Sequence, residues 1–308
     1  MELARFLFLW RRGSRVATPT TSARLSSPVA LLLAGLTALS SLVAPISAKV
    51  AEAQPWVVYY SDTAPTSAFD PYRLVVLDSH KYPTLRPLSD RGKLLLGYLS
   101  LGEVNNGRDY FAEVKAQGFL LQANENWPGS FFVDLLDKRW TKRVVEELVP
   151  DILHRGFDGL FLDTLDNAGH LERQDGVAYR GMTEAGAALV RTIRRNFPSI
   201  PIMLNRAYDL LPGVEDHVDM VLGESLFADY DFATKTYGRV EPSLYRQQVE
   251  ILHAAKARRP ALRLFSLDYA DPADIEGIAA IYREERANGF EPYVATIELD
   301  RIVPEPRR

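Results

Sequence analysis

From residue 56 onward, short β-branched or aromatic runs alternate with longer stretches of helical spacing, and the cycle repeats about eight times. The runs are WVVYYS (from Trp56), RLVVLDS (from Arg73), KLLLGYLSLGE (from Lys93), FFVDLL (from Phe131), GLFLDTLD (from Gly159), IPIMLN (from Ile200), DMVLGES (from Asp219), LRLFSLDY (from Leu262) and PYVATIE (from Pro292). Between them lie amphipathic segments such as KRWTKRVVEELVPDILHRG, TEAGAALVRTIRRNFP and YRQQVEILHAAKAR, each ending near Gly or Pro. Repeated strand-then-helix units bury a parallel sheet beneath helices, and eight of them close into a single-domain (β/α)8 TIM barrel. Nine runs compete for eight places, so one is expected outside the barrel or at its edge. An open doubly wound sheet is the alternative fold. No strand leads into a glycine-rich phosphate turn, which argues against a nucleotide ligand.

Residues 1–53 differ in kind. Arg5, Arg11, Arg12, Arg15 and Arg24 precede the uncharged stretch PVALLLAGLTALSSLVAP, with small residues following at Ile46-Ser47-Ala48 and Ala51-Glu52-Ala53. That is the pattern of a secretory signal, and cleavage is expected after Ala48 or Ala53. An uncleaved N-terminal membrane anchor is the alternative, because the stretch approaches the length of a bilayer span. The domain proper is expected over 54–308, exported to the periplasm or beyond. Of the 36 basic and 40 acidic residues in the whole chain, 30 and 38 remain after residue 53. Such an acidic chain is a poor nucleic-acid partner. With no cysteine, neither disulfides nor cysteine-ligated metals arise.

In a parallel barrel, functional side chains gather where strands pass into their following loops. Asp78, Glu103, Asp134, Asp163, Glu224, Asp268 and Glu298 end or closely follow the runs, and Tyr60, Tyr98, Asn205, Tyr208, Tyr269 and Tyr293 are expected near the same rim. Capping of the next helix is the competing role, above all for Asp78 and Asp268. Clustered carboxylates raise one another's pKa, a cost that structure alone seldom requires. They serve metal chemistry, proton abstraction or glycoside hydrolysis. The five histidines form no ligand pair, although His80 and His170 follow rim strands, and no G-x-S-x-G elbow occurs. The residues call for no metal and no cofactor.

Glycoside hydrolysis needs two carboxyl groups flanking one bond, and Asp163 and Glu224 suit that task. Rim aromatics and Trp127 would stack on sugar rings, while Asn205 and Arg206 would hydrogen-bond hydroxyls. A non-catalytic carbohydrate-binding barrel and a small-molecule enzyme that abstracts a proton are the other readings.

The segments GYLSLGE, GFDGLFLDTLDNAG, MLNRAYDLLP and VLGESLF, in that order, resemble the glycoside hydrolase family 114 barrels and the related hydrolase domain of bacterial Pel polysaccharide proteins. The resemblance runs from about Trp56 to about Asp300. It implies endo-acting, retaining hydrolysis of α-1,4-linked galactosamine or N-acetylgalactosamine polymers, with Asp163 and Glu224 as the catalytic pair. Tyr98, Glu103, Asp166 and Asn167 would contact this amino-sugar polysaccharide. Where the family often carries a second acidic residue beside the glutamate, Gly223 and Ser225 flank Glu224 here. On this reading Asp163 is the nucleophile and Glu224 the acid/base, with exchanged roles as the alternative. An acid-lined cleft would also concentrate a partly deacetylated, cationic polymer.

Overall fold

The computed structural model describes residues 55–125 and 127–306, so the signal or anchor expected over 1–53 lies outside the described residues. Eight parallel strands form one sheet: β1 (Trp56–Tyr59), β2 (Leu74–Asp78), β3 (Leu94–Ser100), β4 (Gly159–Asp163), β5 (Ile202–Asn205), β6 (Met220–Glu224), β7 (Arg263–Tyr269) and β8 (Glu291–Ala295). They pair in sequence order, and β8 lies against β1 to close a (β/α)8 barrel. Hydrophobic residues fill every strand on both faces, as a sheet with helices outside and packed side chains inside demands.

The run that takes no barrel place is FFVDLL. Ser130–Val133 pairs antiparallel with Glu103–Asn105 and Leu120–Ala123 in a three-stranded sheet inserted between β3 and β4. A second ribbon, Ala228–Asp231 with Thr236–Arg239, follows β6. The expected helices appear at Met182–Asn196, Pro242–Arg258 and Ile275–Ala287. The helical run over 138–154 winds as a π-turn at Val144–Leu148, just before Pro150, whose ring and missing N–H cannot be accommodated in a regular α-helical ladder.

Carboxylates stitch the N-terminal end of the barrel. Asp158 accepts from the Leu95 N–H (2.8 Å), Asp219 from the Ile202 N–H (2.9 Å) and Arg194 (2.6 Å), and Glu291 from Arg263 (2.6 and 2.8 Å). The Trp56 indole donates to the Glu291 carbonyl (2.9 Å) and meets Phe265 and Tyr293 edge-on. Tyr293 is therefore core; its hydroxyl accepts from the Val303 N–H (3.1 Å), which corrects its expected place at the rim. Two glycines set the entry to β4. Gly156 turns the chain with φ +103°, and at Gly159 any Cβ would collide with the Pro201 carbonyl just before β5.

Candidate active site

Three neighbouring strands, β4, β5 and β6, end in Asp163, Asn205 and Glu224. After each comes a non-glycine residue in the left-handed region: Thr164 (φ 67°), Arg206 (φ 49°) and Ser225 (φ 52°). Such a conformation costs about 1–2 kcal/mol per residue and persists only where surroundings enforce it. At Thr164 the enforcement is visible. Its hydroxyl donates to the Asp163 carbonyl (2.7 Å), accepts from the Gly102 N–H (2.8 Å) and lies 2.8 Å from the Ser100 hydroxyl.

These turns bring the carboxylates together. Asn205 Nδ2 donates to Asp163 Oδ1 (2.9 Å) and to Glu224 Oε2 (2.5 Å), so those oxygens stand no further apart than the sum of the two distances, 5.4 Å. Tyr98 donates to Asp163 and Tyr269 to Glu224. Burial, and then the neighbouring Asp163 charge, push Glu224 up to about 7. Asp163 is also raised by burial, against the pull of Asn205, the Thr164 N–H and Tyr98.

Around the pair, Asp166 opens the helix Asp166–Gln174 and is pushed by burial to about 6, with the Arg206 guanidinium 3.9 Å away opposing the shift. Arg206 Nε and Nη1 are buried without a protein acceptor. Glu103, raised to about 7 by burial, accepts from Asn124 and Asn167 (2.7 Å each). Tyr208 stands near Arg206, its hydroxyl donating to Gln248 (3.1 Å). A cleft of about 370 Å³ opens beside Asp163, lined by Tyr60, Asp78, Tyr98, Glu103, Trp127 and the Arg108 guanidinium. Among the described residues no group of three or more His, Cys, Asp or Glu side chains is disposed to hold a metal ion.

Several expected rim residues serve elsewhere. Asp134 follows the inserted strand instead of a barrel strand and accepts from the Leu136 N–H (2.9 Å), a turn-stabilising role. Asp268 is fully buried, its Oδ1 accepting from the Phe227 and Ala228 N–H groups (2.7 and 2.9 Å) to pin the loop after Glu224. Glu298 is exposed on the loop beyond β8. Asp78 lines the cleft but is not a free charge. Burial would raise it, yet Arg108 (3.1 Å) and the His80 and Lys81 N–H groups hold it below the ordinary carboxylate range. The cleft is thus less acidic than the sequence suggests. Arg108, in the polar loop NNGRDY, carries no periodic or strand-end signal and is absent from the sequence reading.

A parallel (β/α)8 barrel with two enclosed carboxyl groups close together at its C-terminal mouth is the arrangement that a barrel glycoside hydrolase requires. The sequence pattern of the glycoside-hydrolase family GH114 matches residues 40–308, and the chain belongs to that family. It is similar to the glycoside hydrolase domain of PelA from Pseudomonas aeruginosa, with 24% identity, 82% of this chain and 98% of that one covered, and a TM-score of 0.73. Ega3 of Aspergillus fumigatus, solved in complex with galactosamine, aligns at 14% identity over 82% and 95% of the two chains, with a TM-score of 0.63. An uncharacterised protein of Deinococcus radiodurans is 27% identical over 245 residues, 76% of each chain.

Proposed function

We propose that the enzyme cleaves α-1,4-linked galactosamine or N-acetylgalactosamine polysaccharide with retention of configuration. Asp163 attacks the anomeric carbon while Glu224 protonates the departing oxygen; Glu224 then deprotonates the water that releases the sugar from Asp163. The observation that carries this is the single Asn205 nitrogen shared by both carboxyl groups. Two carboxyl oxygens at most 5.4 Å apart support the roughly 5–5.5 Å spacing of retaining pairs over the wider spacing of inverting ones. Hydrogen bonding supports these roles: both groups are raised by burial, but Glu224, pushed to about 7, keeps a protonated fraction at neutral pH, whereas Asp163 receives three hydrogen bonds that favour its ionised form.

Tyr98, Tyr60 and Trp127 offer aromatic faces to sugar rings, and the buried N–H groups of Arg206 suit a substrate hydroxyl. Asp166, Asn167 and Glu103 form the polar wall behind Asp163. The galactosamine bound by Ega3 supports an amino-sugar substrate. The deciding experiment is mass spectrometry of products from partly deacetylated α-1,4-galactosamine polymer, beside Asp163→Asn and Glu224→Gln proteins. Oligosaccharides from the wild type alone are expected. Products from either variant at the wild-type rate would overturn the assignment.

A further inference from the structure

The arm of the cleft running from Asp163 toward Trp127 has an unexpected charge. Asp78 is spent on Arg108, and Glu103 is enclosed by Asn124 and Asn167. Beside the Asp163 and Glu103 carboxyl groups, the cleft is faced by the Arg108 guanidinium, Lys81, the His80 ring and four aromatic side chains, Tyr60, Tyr98, Tyr110 and Trp127. Arg108 Nη1 lies 2.6 Å from His80 Nδ1. A guanidinium only donates, so Nδ1 is the acceptor and the ring proton sits on Nε2. Both groups therefore present N–H donors. Tyr98 connects them to the chemistry: its hydroxyl reaches Asp163, and the Arg108 guanidinium carbon lies 5.9 Å from its ring centroid.

Resting on the polygalactosamine reading above, we propose that this arm selects an N-acetylated sugar over a free amino sugar, the acetamido oxygen accepting from Arg108 and His80 Nε2. A protonated amine brought to Arg108 would meet its guanidinium and the Lys81 ammonium, with the Asp78 carboxylate there already paired. An acetamido group instead offers a carbonyl acceptor to the donors and a methyl group to the aromatic wall.

The test compares kcat/KM of the full chain on α-1,4-linked N-acetylgalactosamine oligomers, on their fully deacetylated counterparts and on α-1,4-galacturonan oligomers. The acetylated series is expected to be favoured at least tenfold. Arg108→Gln and His80→Ala should each reduce that ratio several-fold. His80 is exposed, so its removal keeps the test alive if loss of Arg108 unfolds the protein around Asp78. Equal or better cleavage of the deacetylated series, or an unchanged ratio in His80→Ala, overturns the selectivity while leaving the polygalactosamine reading intact. Cleavage of galacturonan alone, or of none of the three, overturns that reading itself.

Discussion

Asn205 serves both carboxyl groups with one nitrogen, and removing it should be felt by each. In Asn205→Ala, Asp163 and Glu224 lose a donor that favours their charged forms, so both pKa values rise. The wild-type profile of kcat/KM should fall on its alkaline side as the Glu224 proton is lost near 7, and on its acid side as Asp163 is protonated. The pair titrates as a unit, so the two limbs belong to it jointly. Asn205→Ala should move both limbs to higher pH and lower kcat about 10²-fold or more, as for a lost electrostatic or proton-transfer partner. Unmoved limbs would show that the bridge does not act on the pair. Asp163 and Glu224 were legible in the sequence because each closes an apolar run with a charge. Arg108 was not, because its partner Asp78 lies thirty residues away in the chain and a lone arginine in a polar loop looks like any solvated one.

All eight barrel strands are legible as apolar runs, together with one non-barrel strand, whereas Leu120–Ala123 and the ribbon Ala228–Asp231 with Thr236–Arg239 are not. FFVD has the composition of a barrel strand, and composition reports burial without telling parallel from antiparallel partners; Asp134 was misplaced with it. The left-handed turns after β4, β5 and β6 were invisible because Thr, Arg and Ser do not announce positive φ as glycine does. Ser225→Gly tests their purpose. Relief of about 1–2 kcal/mol in the turn exceeds the roughly 0.5–1 kcal/mol that glycine's freedom costs. The melting temperature should rise slightly while kcat falls several-fold as Glu224 loosens; a rise in both would show that the turn does not hold it.

Behind β7 a second prediction arises. Glu285, buried on the helix Ile275–Ala287, is pushed to about 9 by burial and by Asp268, itself raised to about 7. Carboxyl groups raised by folding contribute stability below their unfolded values, and that contribution is lost as pH rises through the folded ones. The melting temperature should therefore decline toward about pH 9, each kcal/mol lost lowering it by about 2–4 °C. Glu285→Gln should flatten much of this decline; an unaltered slope would place its cause elsewhere.

At the scale of the molecule, the two ends of the barrel use carboxylates in opposite ways. Those at the N-terminal end are bonded to strand N–H groups and arginines, whereas those at the mouth are enclosed and raised in pKa. Export through residues 1–53 is a separate proposal. Expressed in a secreting host, the mature protein should begin at Lys49 or Gln54 by intact mass, and full-length protein retained in the membrane fraction would favour the anchor. The sheet inserted between β3 and β4 also divides the labour along the chain. The proposed catalytic pair stands on strand ends from 163 onward, while Arg108 and Trp127 arrive on a self-contained excursion that a relative could lengthen, shorten or replace. New polymers can thus come within reach of an old reaction by exchange of one inserted segment, and descent within such a family should show drift in residues 103–133 beside constancy at the barrel's rim.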